Sequence, residues 1–379
     1  MKNKTIRFIF FISAIMLVTT SCSLKSQKKN VIEKAQTIKN AYAKGFSITN
    51  AKDYTIVTVY SPWKKGEIYA KYYLVKDSLQ KVPQDGTRVL IPIKKLVANS
   101  ATYFEPLSEL NSLNIIKGTC SSKFIYSPYI LNDVKTGKIK DLGDAFNLNI
   151  EQTLSLKPEA VMTTTYNSED ANVKRFKQTG IAILFNFEWM EDSPLGRAEW
   201  IKFIAAFVDK QSVANKLFDQ VKNNYQNAKS LVADVKDQPT VMVGEDFRGS
   251  WSMPGGHSFN AQLIKDAKGK YFYENDTTTG SINSSIEDAL VKFSTAQIWI
   301  STEENTLKDL QSKNPQYTLF NAFKSKQVYN WNNRMNSSGG NDYWESAVSR
   351  PDIVLKDLIK TFHPNLLPGY KPTYLKKLQ

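Results

Sequence analysis

Cysteine and histidine are scarce in this chain of 379 residues, and their scarcity excludes several kinds of chemistry. There are two of each: Cys22, Cys120, His257 and His363. A zinc or manganese site needs several His, Cys or carboxylate ligands, and the two histidines lie far apart in the sequence. One histidine together with tyrosines could still ligate a haem. We therefore predict no metal site built from the protein's own side chains.

Two motifs of catalytic chemistry are also missing. No G-x-S-x-G occurs, which is the turn that exposes the serine of many hydrolases, and no G-x-x-x-x-G-K-[ST] phosphate loop occurs. In the stretch SWSMPGGHSF, Ser258 directly follows His257. Because neighbouring side chains seldom face each other, this pair is a poor nucleophile and base. We predict a protein that is not an enzyme and has no resident cofactor; a hydrolase using Ser258 or His257 is the weaker alternative.

Long hydrophobic runs are absent except at the N-terminus. Basic residues, a mostly apolar run and small residues precede Cys22, which is the pattern of a secretory signal peptide. We predict removal of residues 1–21, lipid attachment to Cys22, and a tether over 22–45 that places the protein in the cell envelope, facing the periplasm. Thr19 stands where lipoprotein signals usually carry leucine, so a cut elsewhere is the alternative. Cys120, left without a disulfide partner, is expected to be buried.

Positive charge exceeds negative charge but is scattered. Fifty Lys and Arg oppose 36 Asp and Glu, for a net charge of +14. An exported protein does not meet nucleic acid, so no such partner is expected. Scattered lysines are typical of a solvated surface near an anionic membrane. A cationic cleft for an anionic ligand is an alternative that net charge leaves open.

The N-terminal half contains two kinds of sequence pattern. Turn signals separate three extended runs, which predicts a hairpin; the runs are 54–60, 69–75 and 88–93. From about residue 95, short apolar runs alternate with amphipathic stretches. That alternation is typical of βα units and a mainly parallel sheet. We predict an α/β lobe over 46–195.

Two helices then interrupt the alternation. They are predicted at 196–208 and 212–235, and the second carries one apolar stripe. At ~1.5 Å per residue it would span about 36 Å, enough to cross between two lobes. Strand–helix alternation resumes afterwards. The predicted order is therefore bridging helices over 196–236 and a second α/β lobe over 237–379.

The two lobes repeat one short pattern. A polar cap, Asn149 or Ser285, precedes a helix with a glutamate in its first turn, and a strand follows. The matching residues are Glu151, Leu154 and Ala160 in one lobe and Glu287, Leu290 and Ala296 in the other. An acidic side chain in the first turn usually stabilises the helix by its favourable interaction with the helix dipole.

Aromatic and basic residues gather where the strands are expected to end. Ligands of open α/β sheets bind at the carboxyl ends of strands. On that ground we expect a ligand cleft lined by Tyr103, Tyr166, Trp189, Arg248, Trp251, His257, Arg334 and Trp344. The aromatics would stack on the ligand and Arg248 would supply charge. Alternatively, the aromatic side chains pack in the hydrophobic core, and Trp251 and His257 only make packing and hydrogen-bond contacts within their own loop. Ser258 is expected to cap the next helix.

Three segments carry a resemblance to a known family. In order and spacing, GKIKDLGDAFNLNIEQTLSLKPEAVM, PLGRAEWIKFIAAF and WSMPGGHSFNAQLIKDAKGKY resemble segments of the ABC-importer substrate-binding lipoproteins for ferric siderophores, haem or cobalamin. Glu159 replaces the usual Asp, and Lys268 replaces a glycine. The resemblance runs from about residue 88 to the C-terminus. It implies the class III periplasmic binding protein fold: two α/β lobes with mainly parallel sheets, joined by one long rigid helix.

The resemblance also implies a function. Such a protein captures an iron complex (ferric siderophore or haem) or a corrinoid and delivers it to an inner-membrane permease with its ATPase. Iron or cobalt would belong to the ligand. Glu151 and Glu287 match the places where each lobe presents a glutamate to arginine pockets of the permease dimer. The alternatives are a metal-ion-binding protein of the same fold and a structural or adhesive surface lipoprotein.

Overall fold

The computed structural model describes residues 36–166, 173, 175–176 and 178–379. The predicted signal peptide and Cys22 lie outside the described residues. Within the described part of the chain, no helix is long and apolar enough to cross a membrane.

An N-terminal five-stranded sheet precedes the α/β lobes. Its strands lie in chain order: β1 (Gln36–Ile38), β2 (Phe46–Asn50), β3 (Thr55–Tyr60), β4 (Ile68–Val75) and β5 (Thr87–Leu90). Strands β1 to β4 pair antiparallel, which confirms the predicted hairpin, and β5 pairs parallel with β4. The predicted extent of the tether is wrong, because residues 36–45 belong to the fold.

Two glutamates hold the end of that supposed tether. The carboxylate of Glu199, which is completely buried, accepts the backbone N–H groups of residues 41, 42 and 43 at 2.9, 2.7 and 2.9 Å. Glu191 accepts those of Lys44 and Gly45 at 3.0 and 2.8 Å. Buried carboxylates require such donors, so each side satisfies the other. These bonds fix the N-terminal sheet to the helices that follow the first lobe.

The first lobe contains a fully parallel sheet. Its order is β10 (Ala182–Phe185), β9 (Ala160–Thr163), β6 (Leu96–Ala98), β7 (Ile116–Thr119) and β8 (Lys140–Asp141). The connecting segments include α1 (Phe104–Glu109), α2 (Pro128–Lys135) and α3 (Ile150–Ser155). The N-terminal sheet covers the edge strand β10: the hydroxyl of Tyr72 donates to the carbonyl of Ile183 at 2.8 Å and accepts the N–H of Phe185 at 2.9 Å. An edge that would otherwise be free is thereby satisfied.

Three helices lead from the first lobe to the second: α4 (Pro194–Glu199), α5 (Ile201–Phe207) and α6 (Gln211–Ser230). The single helix predicted at 196–208 is divided at Trp200, and the long helix ends at Ser230, before a series of turns. The predicted apolar stripe of α6 is confirmed, since Phe218, Val221 and Tyr225 are buried. Helix α6 packs against both α5 and α12 (Pro351–Phe362), so it connects the two lobes.

The second lobe combines two small sheets. The parallel one has the order β14 (Lys270–Tyr271), β11 (Thr240–Val243), β16 (Ile298–Ile300), and the antiparallel one has the order β12 (Asp246–Phe247), β13 (Ser250–Pro254), β15 (Ser281–Ser284). The short strands β17 (Tyr329–Asn330) and β18 (Lys376–Lys377) pair separately. The helices are α7 (Phe259–Asp266), α8 (Ile286–Phe293), α9 (Leu307–Lys313), α10 (Asn321–Lys324), α11 (Asp342–Ser346) and α12.

The antiparallel sheet replaces the irregular loop expected before α7. Arg248 and Gly249 have φ values of +55° and +82°, as a tight turn between twisted antiparallel strands requires. The two strands on either side therefore pair as a hairpin, and Trp251 lies on the second of them. The predicted cap of α7 is confirmed, because the Ser258 side chain accepts the N–H of Ala261 at 3.2 Å.

Candidate ligand-binding cleft

A cleft of about 460 Å³ lies between the two lobes. The first lobe and α4 contribute Trp189 and Arg197 among its walls, and the second lobe contributes residues of β13, the start of α7, and α11. Its volume falls in the usual range of ~300–1,000 Å³ for small-molecule sites. The cleft adjoins the carboxyl ends of β11 and β16, which is where open α/β sheets bind ligands.

The second lobe presents an aromatic wall to this cleft. The rings of Trp331 and Tyr343 stack with centroids 4.3 Å apart and planes 11° from parallel. The indole N–H of Trp331 donates to the hydroxyl of Ser301 at 2.7 Å, so this ring is held in place. Trp344 follows on α11 and is 67% exposed. A large exposed indole on a rigid support is suited to stacking on a ligand.

A row of aromatic rings faces it from the first lobe. The indole N–H of Trp189 donates to the hydroxyl of Thr164 at 2.7 Å. Ring centroids are 5.4 Å apart between Trp189 and Tyr166, and 5.1 Å apart between Tyr166 and Phe146. The row leads into a second cavity of about 200 Å³, which Cys120 also lines. Cys120 is buried as expected, and burial raises the pKa of its thiol to about 12.

The charged groups of the cleft are already paired. The guanidinium of Arg197 donates through Nε and Nη2 to Glu188 at 3.0 and 2.8 Å, and it stands 4.2 Å from the ring centroid of Phe259 in the other lobe. Glu191 accepts the backbone N–H groups of the N-terminal segment and the indole N–H of Trp200 at 2.9 Å. Burial nevertheless raises the pKa of Glu191. The cleft therefore presents mainly aromatic and aliphatic side chains to a ligand.

Three of the predicted ligand residues lie at these cavities. Trp189 and Trp344 line the cleft, and Tyr166 lines the adjoining cavity. Sequence reasoning missed Arg197, although it lies in PLGRAEW, one of the segments that carry the family resemblance. Trp331 follows β17 in NWNNRMN, a segment recognised as an aromatic strand end, from which only Arg334 was chosen as a cleft residue.

Two predicted cleft residues are instead core residues. Trp251 is completely buried, its ring stacks on Trp299 with centroids 5.7 Å apart, and its indole N–H donates to the carbonyl of Val243 at 2.9 Å. Tyr103 is 1% exposed, and burial raises its pKa well above the usual value. The prediction of both as cleft walls is wrong. For Trp251, the strand alternation of β13 turns the side chain inward.

The remaining three lie outside the lining of both cavities. Arg248 is exposed at the tip of the β12–β13 turn, where its guanidinium lies 5.1 Å from the ring centroid of Phe247. His257 is exposed beside the turn before α7. Arg334 forms an ion pair with Asp342 at 3.0 Å. The structure therefore does not bring these three to the cleft walls.

The two glutamates of the repeated pattern are both exposed. Glu151 lies in the first turn of α3 and Glu287 in the first turn of α8. The predicted caps are confirmed, because the side chains of Asn149 and Ser285 accept backbone N–H groups at 2.9 and 3.3 Å. A hydrogen bond with Ser285 lowers the pKa of Glu287. Both carboxylates are free to meet a partner, and docking stays a prediction.

Within the ranges that the structure describes, no group of three or more His, Cys, Asp and Glu side chains is placed to hold a metal ion. The cleft itself is lined by aliphatic, aromatic, small polar and paired charged residues.

Comparisons with known proteins agree with this geometry. Residues 97–335 match a family described as periplasmic binding protein. An uncharacterised lipoprotein of Methanocaldococcus jannaschii is 25% identical over 323 residues, covering 80% of this chain and 75% of the relative.

Two solved structures illustrate the shared fold. A possible iron-binding, periplasmic solute-binding protein of Staphylococcus epidermidis aligns at 21% identity and a TM-score of 0.56, over 71% of this chain and 98% of that one. A periplasmic haem-binding protein of Pseudomonas aeruginosa aligns at 14% identity and a TM-score of 0.58, over 76% and 98%. At these identities the likeness establishes the fold.

Proposed function

This chain belongs to the periplasmic binding protein family, and from that premise we propose that it is the substrate-binding protein of an ABC importer. It captures an iron complex, such as a ferric siderophore or haem, or a corrinoid, and releases it unchanged to the permease. The lipid on Cys22 keeps it at the membrane, and Glu151 and Glu287 dock it on the permease dimer. The structural neighbours described above as a possible iron-binding and a haem-binding protein support this class of ligand.

One observation carries the proposal: aromatic side chains of both lobes face a single cleft. Trp189 lines it from the first lobe and Trp344 from the second, and Arg197 also lines it. Rings that are held in place stack well on a flat or conjugated ligand. Since α6 packs on both lobes, closure around the ligand involves small adjustments of the lobes rather than a wide hinge.

The test uses the visible absorbance of these ligands. Purified protein is mixed separately with haem, with ferric siderophores of the catecholate and hydroxamate types, and with cyanocobalamin. We expect one of them to co-elute with the protein, to shift its absorption spectrum and to quench tryptophan fluorescence. If none of these ligands co-elutes or changes either signal, the proposed function is wrong.

A further inference from the structure

Helix α11 has two faces with different contacts. Trp344 lines the ligand cleft. The next residue, Glu345, is 6% exposed, and its Oε2 atom accepts the backbone N–H groups of Tyr126 and Ser127 at 2.8 and 3.2 Å. Those two residues belong to the first lobe. The helix that supplies a cleft wall is therefore bonded directly to the opposite lobe.

Neighbouring residues strengthen the same contact. The Asn336 side chain donates to the carbonyl of Ile125 at 2.8 Å, and the Nε atom of Arg334 lies 3.4 Å from the hydroxyl of Tyr126. Gly340 packs so closely that a Cβ atom there would lie 2.1 Å from the carbonyl oxygen of Ile125. We name this contact, formed by residues 125–127 of the first lobe and 334–345 of the second, the interlobe clasp.

We propose that the interlobe clasp holds the cleft closed and that Glu345 is the positioning residue that controls how long a ligand stays bound. Separating the lobes at this point requires both N–H bonds to Glu345 to break. Because Trp344 is on the same short helix, its indole then moves away from the first lobe. The ligand part of this inference rests on the proposed function, whereas the clasp itself does not.

Charged groups surround Glu345 on several elements. Asp342 on its own helix and Glu105 on α1 interact electrostatically with its carboxyl. Further titratable groups interact in turn with those two acids or with each other: Glu109 on α1, Tyr126 in the partner loop, and Arg334, Arg350 and Tyr374 in the second lobe. Arg334 pairs with Asp342 at 3.0 Å and Arg350 pairs with Asp352 at 2.9 Å. Glu105 and Glu345 therefore repel each other while the nearby arginines are already engaged.

This setting makes the clasp sensitive to pH. Burial raises the pKa of Glu345 from 4.5 to about 7, with Asp342 and Glu105 adding to the effect, and burial raises that of Glu109 to about 7 as well. A carboxyl with a raised pKa is less stable in its ionised form when the clasp is closed than when it is exposed to water. The stability that Glu345 contributes to the closed clasp through its raised pKa is therefore fully present below about pH 4.5. This contribution is lost as the pH rises through about 7.

Hydrogen exchange of the full-length protein tests the clasp without any ligand. The protection of the Tyr126 and Ser127 amides is measured at about pH 6 and about pH 8 and corrected for the intrinsic rate. In the wild type, protection should decrease from about pH 6 to about pH 8. In Glu345→Ala, the protection at about pH 6 should be about tenfold lower than in the wild type. The Glu345→Gln variant keeps a hydrogen-bond acceptor but cannot ionise, so its protection should be the same at about pH 6 and about pH 8.

The control variant is Glu159→Gln. Its carboxylate also accepts a backbone N–H, that of Lys94 at 2.6 Å, but inside the first lobe. It should leave the Tyr126 and Ser127 amides unchanged. Thermal unfolding of each variant separates a local effect from a loss of fold. Unchanged protection in a folded Glu345→Ala variant would overturn the clasp, and pH dependence that persists in Glu345→Gln would overturn the role of Glu345.

A second measurement tests the link to binding. The dissociation rate of cyanocobalamin or haem, whichever binds, is followed by absorbance after mixing with an excess of a competing apoprotein. We expect release about tenfold faster from Glu345→Ala than from wild type. Equal rates with altered exchange would show a clasp that does not control release. If neither of these probes nor a ferric siderophore binds while exchange changes as expected, the proposed ligand class has failed and the clasp has not.

Discussion

Trp344 and Trp251 lie in opposite environments. Trp344 is 67% exposed on α11 and has one face toward the cleft. Trp251 is enclosed by the rings of Trp299, Tyr317 and Phe320, with centroids 5.7, 5.8 and 5.6 Å away. Removing either ring should therefore affect a different property.

Alanine substitutions separate binding from folding at these two positions. Trp344→Ala should weaken ligand binding and change the free energy of unfolding little, because the ring is mostly solvated. Trp251→Ala should lower the free energy of unfolding by about 3–5 kcal/mol, because it leaves a cavity and an unpaired carbonyl at Val243. Denaturant unfolding and fluorescence titration with haem or cyanocobalamin measure the two effects. Normal binding by Trp344→Ala would remove this residue from the site.

At the scale of elements, α3 and α8 have the same N-terminal arrangement in different lobes. Each begins at a polar cap and exposes a glutamate in its first turn. Charge-assisted hydrogen bonds to arginine are among the strong ones, so two such helices could bind two pockets of a dimeric permease at once. A purely local cap would instead act only on the stability of its own helix.

Charge reversal at both helices distinguishes these roles. The double variant Glu151→Lys, Glu287→Lys should bind ligand normally but fail to stimulate transport or ATPase activity in reconstituted membranes. The matched control is Glu67→Lys, Glu274→Lys, which changes the same charge at two other exposed glutamates. Both proteins should remain folded by thermal unfolding. Normal uptake with the first variant would contradict docking through these glutamates.

At the scale of the whole molecule, the N-terminal sheet lies between the proposed anchor at Cys22 and the binding lobes. Strand β1 begins at Gln36, 14 residues after Cys22. The segment that follows is bonded to Glu191, which itself borders the cleft, and to Glu199. The N-terminal sheet lies before the part of the chain that matches the family, 97–335, and packs onto the first lobe.

Removal of the proposed lipid site should detach the whole molecule. Cys22→Ala should shift the protein from the membrane fraction to the soluble envelope fraction, since a lipid chain is what retains it. Cys120→Ala should remain with the membrane, because that thiol is buried in the first lobe. Fractionation with a salt wash and immunoblotting measures both. A Cys22→Ala protein that still sediments with membranes would place the anchor elsewhere.

Local patterns determined most of the architecture. The apolar stripe of α6, the hairpin of β3 and β4, the cap of α7 and the repeated glutamate helices all depend on residues close together in the chain, and all were predictable from period and turn chemistry. The order of three short segments also indicated the family. Its parallel sheets follow from strand–helix alternation.

Tertiary packing decided the site. The sequence could place aromatics at strand ends, but the hairpin formed by β12 and β13 turned Trp251 into the core while α11 left Trp344 in the cleft. The clasp between Glu345 and Tyr126 joins residues 219 positions apart, and the bond of Glu199 to Ala41 spans 158. No local pattern reports such contacts, because burial and pairing of a side chain depend on which distant segments pack against it.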